Sequence, residues 1–488
     1  MNRKIVIFIL GWVMTFLSGF LTLPCLVSLI YQEGEGTYFF VTALVAFICG
    51  RILTRKKPQK GQFYAKEGFI SVALSWIVLS ILGAIPLWMS GEIPHFIDAL
   101  FEIVSGFTTT GASVVADVEA LSHTALFWRS FSHWIGGMGV LVFMMAILPL
   151  VGGENIHLLR AESPGPIVSK LVPRMRKTAK ILYVIYLGMT LLQIVLLICS
   201  GLPVFDSICM SLGTAGTGGF GLVADSATGY TVVQQVIITV FMLLFGVNFS
   251  FFYLILMRNI RGAFKIEEVR WYFALFGVSA LLITIDLTKN VGDVLHNLNL
   301  ATFQVASVMT TTGFATADFN LWPTFSKNIL VMLMFVGACA GSTGGGIKVS
   351  RFIIYIKTTV KEIRHLIHPR SVKVVKLDDK TVSDETIRTT HMYLIVYMFI
   401  FVGSLAVVSL DKYDMVTNFT AIAATINNIG PGLEVAGPMG NYGGFSVLSK
   451  IVMILDMLIG RLEIFPLLIL FSPSVWKWRN KKRCANGK

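Results

Sequence analysis

Long apolar runs separated by short polar loops form the dominant pattern of this 488-residue chain. The first two runs are Ile5–Tyr31 and Tyr38–Leu53. A run such as Ile5–Tyr31, folded as a helix, is long enough to cross a hydrocarbon core of roughly 30 Å. Runs of this kind along the whole sequence predict about ten membrane crossings. The predicted fold class is therefore an all-α polytopic membrane protein.

One pattern then occurs four times: an apolar outer helix, a short amphiphilic segment, a stretch rich in Gly, Thr or Asn, and an apolar return helix. The predicted outer helices are Phe69–Met89, Ile181–Ser200, Tyr272–Leu287 and Met392–Leu410. The predicted short segments are Phe96–Phe107, Val204–Leu212, Asp293–Met309 and Asp414–Ile426. The predicted return helices are Leu126–Val151, Val232–Met257, Asn328–Ile356 and Val447–Leu470. Each unit begins and ends on the same side, which indicates parallel repeats around an axis normal to the membrane.

This pattern predicts five segments. Residues 1–67 form a leading helix pair with a basic loop. The pore units follow at 68–177, 178–268, 269–389 and 390–488. The third unit ends in a cytoplasmic connector, and the fourth ends in a basic tail.

Composition and charge placement agree with a membrane protein. Hydrophobic residues make up 55% of the chain, charged residues 14%, and the mean hydropathy is +0.74. A soluble protein of this size needs more surface charge. The net charge of +13 would suit nucleic acid, but the basic residues fall in alternate loops. The basic segments are 3–4, 51–66, 160–180, 258–270, 351–388 and 477–488. This positive-inside pattern places both termini in the cytoplasm.

The stretches that follow the four short segments carry the candidate chemistry. They align on one glycine each: Gly111, Gly218, Gly313 and Gly430. A dehydrated monovalent cation needs oxygens in place of its water, and backbone carbonyls supply them without a charge that would trap it. Glycine reaches the φ > 0 conformations that aim successive carbonyls at one axis. Because irregular backbone at membrane depth must line water or be buried in protein, four such stretches imply one central cavity.

The predicted ion filter is a set of three positions from each unit. It comprises Thr109, Thr110, Gly111, Gly216, Thr217, Gly218, Thr311, Thr312, Gly313, Asn428, Ile429 and Gly430. The short segments would point their C-terminal ends at the cavity, which favours a cation there. Acidic residues near their starts suit helix N-termini and an outer vestibule: Asp98, Asp206, Asp293 and Asp414. The alternative is that these glycines and threonines only mark close helix contacts.

Three polar residues predicted to lie within the membrane have less specific expected roles. Glu102, inside the first short segment, is expected to brace the filter from behind. His133 is expected to pack rather than to transfer protons. Asn248 is expected to hydrogen-bond between helices.

A second glycine-rich stretch, Gly337–Gly346, interrupts the third return helix. Glycine costs about 1 kcal/mol in a helix relative to alanine, so this run should open the helix at membrane depth and could block the pore. The predicted gate residues are Gly341, Gly344, Gly345, Gly346, Lys348 and Arg461. Arg461 is expected to hydrogen-bond the carbonyls of this stretch. The alternatives are a small-residue interface, a snorkelling Arg461–Glu463 pair, and Lys348 as a boundary residue.

Four blocks of sequence resemble the Trk/Ktr/HKT superfamily, and most of all the bacterial Trk potassium-uptake membrane subunits. They are Phe101–Ala112, Trp134–Gly139, Gly337–Lys348 and Gly460–Phe465. The resemblance implies potassium permeation, the four filter glycines, an intramembrane gating loop and a bacterial cytoplasmic (inner) membrane. The chain departs from the family pattern at Gly216, Asn427, Asn428 and Pro431. These departures make the ring chemically uneven, so we expect modest selectivity over sodium and passage of rubidium.

The resemblance also implies partners. It predicts a homodimer with two separate pores and a cytoplasmic nucleotide-binding Trk-type regulatory subunit that docks on the basic loops. NAD(H) or ATP is expected only on that partner. The chain has neither a G-x-G-x-x-G motif after a strand nor a P-loop lysine, so no cofactor is expected on it, and potassium is its substrate.

Two other functions remain open at this stage. A proton- or sodium-coupled potassium symporter needs a buried titratable relay near the midplane, and Asp456, Arg461 and Glu463 are the main candidates. A membrane enzyme needs a catalytic constellation, but the sequence shows no Ser/His/Asp set, no H-E-x-x-H and no paired metal ligands. The sequence favours channel-like permeation and no enzymatic activity.

Overall fold

The computed structural model describes residues 3–55, 65–151, 175–289, 292–370 and 373–473. The basic segment 477–488, most of 160–180 and the middle of 51–66 lie outside the described residues. Within the described residues the only strands form a small antiparallel hairpin, Lys376–Leu377 with Lys380–Thr381. Everything else that is regular is helical, and the predicted all-α polytopic membrane fold is confirmed.

The leading pair consists of one long span and one shorter span. Arg3–Phe20 and Thr22–Tyr31 together form the first, and Gly36–Thr54 forms the second. The two pack backbone to backbone, because Gly11 and Gly50 face each other so closely that a β-carbon on either would collide with the other helix. Small residues at such contacts are typical of membrane helix pairs.

The helices of the four units follow the predicted order with shifted ends. The outer helices are Ala65–Met89, Met175–Cys199, Glu267–Thr288 and Asp384–Val408. The short helices are Phe96–Phe107, Val204–Gly216, Val294–Met309 and Met415–Ile426. The first return helix is His123–Val151. A six-residue helix, Ile260–Lys265, and two single turns, Phe319–Leu321 and Glu434–Ala436, complete the described helices.

The other three return helices are interrupted. Their halves are Val232–Gly246 and Phe249–Leu256, Thr324–Met334 and Val349–Ile367, and Val447–Arg461 and Phe465–Phe471. The third interruption was predicted, and we call residues 335–348 the glycine loop. The prediction of continuous second and fourth return helices was wrong. The second bends by 94° at a break that Asn248 caps. In the fourth, Glu463 and Ile464 adopt left-handed φ of 57° and 67°.

These interruptions explain the count of spanning helices. Six helices in the described part of the chain are long and apolar enough to cross a membrane, and the bent pair of the second unit makes a seventh if it is one span. The six are the two leading spans and the four outer helices. The four return helices make up the difference from the predicted ten: three of them are broken into shorter pieces, and the continuous first one, His123–Val151, is not among the six.

Burial separates the short helices from the outer helices. Residues Ala421, Ile422 and Ala423 of the fourth short helix are fully buried, whereas Phe399 of the fourth outer helix is 77% exposed. Lipid tails are as apolar as these side chains, so apolar exposure on an outer helix carries no penalty in a bilayer. The short helices therefore form the centre of the molecule, and the outer helices form its rim.

The carboxylate of Glu33 connects the leading pair to the first unit through hydrogen bonds. Glu33 lies in the turn between the two leading spans and accepts hydrogen bonds from the backbone N–H groups of His123 (2.8 Å) and Thr124 (2.9 Å) and from the Thr124 hydroxyl (2.6 Å). It thereby caps the first return helix. Burial acts to raise the pKa of the Glu33 carboxyl, but the hydrogen bonds from Thr124 and His123 outweigh it and lower that pKa below its usual value.

Glu33→Ala is expected to lower the thermal stability of the purified protein by the equivalent of about 0.5–2 kcal/mol, the usual worth of an N-cap. Because the pKa of Glu33 is lowered, its stabilisation is present above the unfolded pKa of about 4.3 and is lost as pH falls further. In detergent, the melting temperature of wild type should exceed that of the variant at neutral pH, and this difference should become smaller as the pH is lowered. Glu35→Ala is the control, since Glu35 makes no side-chain cap bond; equal losses in both variants would contradict this assignment.

Candidate functional site: a ring of four loops

The four short helices are oriented by their N-terminal carboxylates. Asp293 accepts from the N–H groups of Leu295 and His296, and Asp414 accepts from those of Val416 and Thr417. Asp206 lies in the first turn of its helix, and Asp98 does so too while pairing with Lys450 at 2.6 Å. The predicted fit of these four residues to helix N-termini is confirmed. The opposite, partially negative helix ends lead directly into the glycine-containing stretches.

Each of the four stretches repeats the same backbone conformation. A left-handed residue is followed, two positions later, by a left-handed glycine. The pairs are Thr109 and Gly111 (φ 57° and 82°), Thr217 and Gly219 (55° and 84°), Thr311 and Gly313 (58° and 90°), and Asn428 and Gly430 (56° and 98°). Residues other than glycine rarely adopt positive φ angles. Four copies of this pattern in one chain therefore indicate a common structural requirement.

That requirement is a closed ring of backbone contacts. A β-carbon on Gly111 would collide with the carbonyl oxygen of Gly218, one on Gly219 with that of Thr312, and one on Gly313 with that of Ile429. A β-carbon on Gly430 would lie 2.7 Å from the carbonyl oxygen of Thr110, which returns the ring to the first unit. Each glycine thus packs against the residue preceding the glycine of the next unit. The four stretches therefore surround one axis, and we call this arrangement the loop ring.

The ring corrects the prediction for the second unit by one residue. The sequence aligned Gly218 with the other three glycines and assigned Gly216, Thr217 and Gly218 to the filter. In the structure Gly219 has the positive φ and occupies the glycine position, while Gly218 is equivalent to Thr110, Thr312 and Ile429. Gly216 is the last residue of the short helix. The Thr-Gly-Gly sequence offers two candidate glycines, and only the contacts with neighbouring units distinguish them.

Other glycines let return helices approach the ring. A β-carbon on Gly136 would collide with the carbonyl oxygen of Phe107, and one on Gly460 with that of Ile426. Phe107 and Ile426 are the last residues of the first and fourth short helices. A β-carbon on Gly216 would likewise meet the carbonyl group of His133. A side chain at Gly136 or Gly460 would therefore displace the end of the short helix against which that glycine packs.

A buried ion pair supports the first loop from behind, as predicted for Glu102. Its carboxylate accepts from Arg129 Nε (2.8 Å), the Ser113 hydroxyl (2.9 Å) and the Val114 N–H (2.9 Å). The Arg129 guanidinium also lies 4.3 Å from the centre of the Phe220 ring, in the second loop. Sequence reasoning did not identify Arg129. Its signal was present, since it is a lone charge within an apolar return helix.

His133 packs as predicted, and Asn248, which was expected to hydrogen-bond between helices, caps its own helix and also hydrogen-bonds Glu268 of the third outer helix. His133 is fully buried, its Nδ1 lies 2.8 Å from the Gly106 carbonyl, and its Nε2 accepts from the Phe220 N–H at 3.2 Å. It therefore joins the first and second loops. Asn248 accepts from the Ser250 N–H and caps the helix after the bend.

At one end of the ring, side-chain oxygens differ in their partners. Thr109 Oγ1 and Asn428 Oδ1 are buried and have no hydrogen-bond partner among the described residues. The Thr311 hydroxyl instead accepts from the Gly345 N–H of the glycine loop at 2.7 Å. We call this end, where the glycine loop lies, the inner end of the ring. Unpaired buried oxygens are costly unless water or a cation completes their coordination.

The glycine loop lies directly against the inner end. A β-carbon on Gly344 would lie 2.9 Å from the carbonyl oxygen of Thr310, and one on Gly345 would lie 2.8 Å from that of Asn427. Side chains at Gly344 and Gly345 would therefore push the loop away from the third and fourth units. Gly341 and Gly346 supply positive φ values of 73° and 67° that turn the loop.

Two cationic side chains hold this loop. Lys348 is buried, and its Nζ donates to the carbonyls of Gly344 and Gly345. Arg461 donates through Nη1 to the Thr343 carbonyl (2.7 Å) and through Nη2 to the Gly136 carbonyl (2.6 Å). The prediction that Arg461 hydrogen-bonds this stretch is confirmed. Lys348 therefore contacts the backbone of the loop directly, as one of the two interpretations of this residue expected.

The other charges grouped with Arg461 have separate partners. Glu463 pairs with Arg351, whose guanidinium lies 3.8 Å from the centre of the Tyr393 ring. Asp456 accepts from the Ser404 hydroxyl at 2.8 Å, which ties the fourth return helix to the fourth outer helix. Glu463 and Asp456 therefore each have a partner of their own on another helix.

The bend of the second return helix receives the other side of the glycine loop. The Cys339 N–H donates to the Gly246 carbonyl (3.0 Å), and the Phe249 N–H donates to the Gly341 carbonyl (3.0 Å). The Thr343 hydroxyl donates to the Phe245 carbonyl at 3.2 Å. Two breaks at membrane depth thus satisfy each other's backbone groups, which lipid could not do.

The chain is similar along almost its whole length to known transport proteins. It is 36% identical to the Trk system potassium uptake protein TrkH of Salmonella typhimurium over 486 residues, covering 98% of this chain and 100% of that protein. It is 36% identical to the Trk system potassium uptake protein TrkG of Escherichia coli, covering 95% and 98%. The crystal structure of the potassium transporter TrkH from Vibrio parahaemolyticus matches with a TM-score of 0.87 and 32% identity, covering 98% and 100%.

The fold and the loop ring define a polytopic membrane protein whose centre is a ring of loops from four units of a single chain. The sequence model of TrkH, described as a cation transport protein, matches residues 36–479. The chain belongs to the TrkH family of cation transport proteins.

Gly313→Ser is expected to reduce rubidium uptake by about tenfold or more, or to change the preference among ions. The new β-carbon would meet the Ile429 carbonyl oxygen and require a left-handed serine, which costs roughly 1–2 kcal/mol before any collision is counted. Uptake of potassium, rubidium, sodium and lithium by cells that lack other uptake systems measures the effect. Gly277→Ser is the matched control, since a β-carbon there meets nothing within 4 Å; equal losses would contradict the prediction.

Proposed function

We propose that this chain is the membrane subunit of a bacterial potassium uptake system and that potassium crosses through the loop ring. The observation that carries this proposal is the closed ring of glycine-to-carbonyl contacts among all four units. Such a ring holds uncharged backbone oxygens around one axis, where they can replace the water of a monovalent cation. The names of the relatives, which are potassium uptake proteins, favour potassium as that cation.

In this proposal the filter consists of Thr109–Gly111, Thr217–Gly219, Thr311–Gly313 and Asn428–Gly430. None of these residues carries an ionisable side chain, so the attraction for the ion comes from carbonyl dipoles, side-chain oxygens and the C-terminal ends of four short helices. The unpaired Thr109 and Asn428 oxygens offer further coordination at the inner end. The fourth loop uses Asn428 and Ile429 where the first and third use threonine, so the ring is uneven and rubidium should pass.

The glycine loop is the proposed gate. It occupies the inner end of the ring, and Lys348, Arg461 and Thr311 hold it through hydrogen bonds to its backbone. Because Gly344–Gly346 have no side chains, the loop can leave this position without displacing a packed core. Its departure would free the Thr311 hydroxyl to face the ion.

The membrane context of the proposal is the cytoplasmic membrane of a bacterium, with the basic segments and both termini inside. The gate then lies on the cytoplasmic side of the filter. A cytoplasmic regulatory subunit that binds NAD(H) or ATP would act on the gate from that side. A homodimer with one pore per chain is part of the same proposal.

Reconstituted protein should carry potassium in either direction, following the potassium gradient alone. In proteoliposomes with matched pH and no sodium, reversing the potassium gradient should reverse the flux of tracer rubidium. A channel-like pore requires no second ion. Flux that appears only with a proton or sodium gradient would instead support the alternative, a coupled potassium symporter.

Arg461→Ala is expected to raise the basal flux measured without any regulator by about tenfold. Hydrogen bonds to charged groups are worth about 1.5–3 kcal/mol each, and Arg461 makes one to the loop and one to the first return helix. Arg461→Lys keeps the positive charge but cannot donate to both carbonyls with the geometry of a guanidinium, so it should give an intermediate flux. Deleting Gly344–Gly346 should also raise the flux, and unchanged or reduced flux in these variants would argue against the gate.

A further inference from the structure

Glu268 is a buried carboxylate beside the glycine loop that belongs to neither the loop ring nor the set of loop contacts discussed above. It is the second residue of the third outer helix, Glu267–Thr288, and its side chain is almost fully enclosed. A buried carboxylate is costly unless specific donors compensate it. The donors of Glu268 therefore indicate what it does.

Two backbone N–H groups on opposite sides of the triple glycine donate to the same Glu268 oxygen. Oε1 accepts from the Ala340 N–H at 2.7 Å and from the Ser350 N–H at 3.0 Å. Ala340 lies in the first half of the glycine loop, and Ser350 lies in the first turn of the helix that follows it. The Glu268 carboxylate thus bridges two backbone positions, Ala340 and Ser350, that lie before and after Gly344–Gly346.

The bend of the second return helix meets the same carboxylate. The side chain of Asn248 interacts with Glu268, and the backbone around Asn248 exchanges hydrogen bonds with Cys339 and Gly341 of the loop. Glu268 consequently joins three elements: the third outer helix, the two ends of the glycine loop, and the bend.

A small apolar cluster surrounds this junction, distinct from the main core. It contains Cys339 of the loop, Val349 and Ile353 of the following helix, Val247 of the bend, and Val269 and Tyr272 of the third outer helix. The two ends of the glycine loop therefore pack together on the first turns of the third outer helix. Glu268 supplies the polar anchor within that apolar contact.

We propose that Glu268 is a positioning residue that holds the glycine loop closed by fixing both ends of its triple-glycine segment to the third outer helix. The glycines have no side chains with which to pack, so backbone hydrogen bonds decide where the loop lies. Lys348, Arg461 and Thr311 act on the middle of the segment, whereas Glu268 acts on its base. This inference rests on the proposed gating role of the loop and adds the residue that sets its resting position.

Glu268→Ala should loosen the loop, because it leaves the two buried N–H groups of Ala340 and Ser350 without their acceptor. Basal rubidium flux without a regulator should rise about tenfold or more, while the ratio of potassium to sodium flux stays at the wild-type value. A defect that merely disordered the pore would change that ratio. Glu268→Gln, which retains an acceptor oxygen at the same place, should lie closer to wild type than Glu268→Ala.

Cys339 provides a readout that does not depend on ion flux. It is fully buried in the closed loop, next to Ala340. In full-length protein with Cys25, Cys49, Cys199, Cys209 and Cys484 replaced, the rate at which a membrane-permeant maleimide labels Cys339 reports loosening of the loop. Glu268→Ala should raise this rate about tenfold or more.

Glu267→Ala is the matched control. Glu267 is the neighbouring residue of the same helix turn, but its carboxylate pairs with Lys357 at 2.6 Å, and its N–H donates to Asp378 next to the small hairpin. Within the described part of the chain its hydrogen bonds and ion pair go to Lys357 and Asp378 and not to the glycine loop, so labelling of Cys339 and basal flux should stay at wild-type levels. An equal increase in both variants would indicate general loosening of the helix end and would overturn the inference.

If Glu268→Ala does not fold, Glu268→Asp is the second variant with which to test the inference. Aspartate keeps the charge but is one methylene too short to reach both N–H groups, so it should also raise flux and labelling. Wild-type flux and labelling in every folded Glu268 variant would overturn the inference, even if wild-type protein conducts rubidium. Failure of the proposed function would look different, because wild-type protein would then carry no rubidium flux while labelling of Cys339 still responded to Glu268→Ala.

Discussion

The contact between a glycine α-carbon and a carbonyl oxygen of the next unit, made four times around one axis, is the constraint on which the rest of this structure depends. Any side chain at Gly111, Gly219, Gly313 or Gly430 would force the loops apart. The ring can therefore close only if four glycines adopt left-handed conformations together. The buried short helices, the Glu102–Arg129 pair and the close-packed Gly136 and Gly460 all keep the loops at that distance.

The lack of hydrogen-bond partners in a lipid bilayer explains where the interrupted return helices lie relative to each other. Backbone groups freed from a helix at membrane depth must find partners in the protein, because lipid offers none. The bend at Gly246–Asn248 and the glycine loop provide such partners for each other. The loop carbonyls of Thr343, Gly344 and Gly345 accept from Arg461 and Lys348, and two of the loop's N–H groups donate to Glu268 and the Thr311 hydroxyl. Lys348, Arg461 and Glu268 would be costly if they faced lipid, but here they bind backbone groups of the glycine loop.

Sequence reasoning worked where the signal was local and repeated. The four units, their short helices and the opening of the third return helix follow from apolar run lengths, capping carboxylates and a run of glycines. Arg461 was also found, because a charge in an apolar helix requires a polar partner. Arg129 carried a similar signal but no indication of what it would contact, and Glu268 lay in the predicted basic segment 258–270, where a charge is ordinary. The second and fourth return helices were predicted as continuous, because Val247, Asn248, Glu463 and Ile464 include no proline or glycine run that would mark a break.

By itself the sequence determined the membrane class, the fourfold repeat and the residue types that surround the centre, because hydrophobic length and glycine content act within a few residues of chain. Only the tertiary structure decided the register of the second loop, where Gly219 rather than Gly218 meets the neighbouring unit. It also decided which carbonyls Arg461 binds and that Glu268 joins both ends of the glycine loop. These outcomes depend on contacts between residues far apart in sequence, which no local pattern of hydrophobic and polar positions can specify.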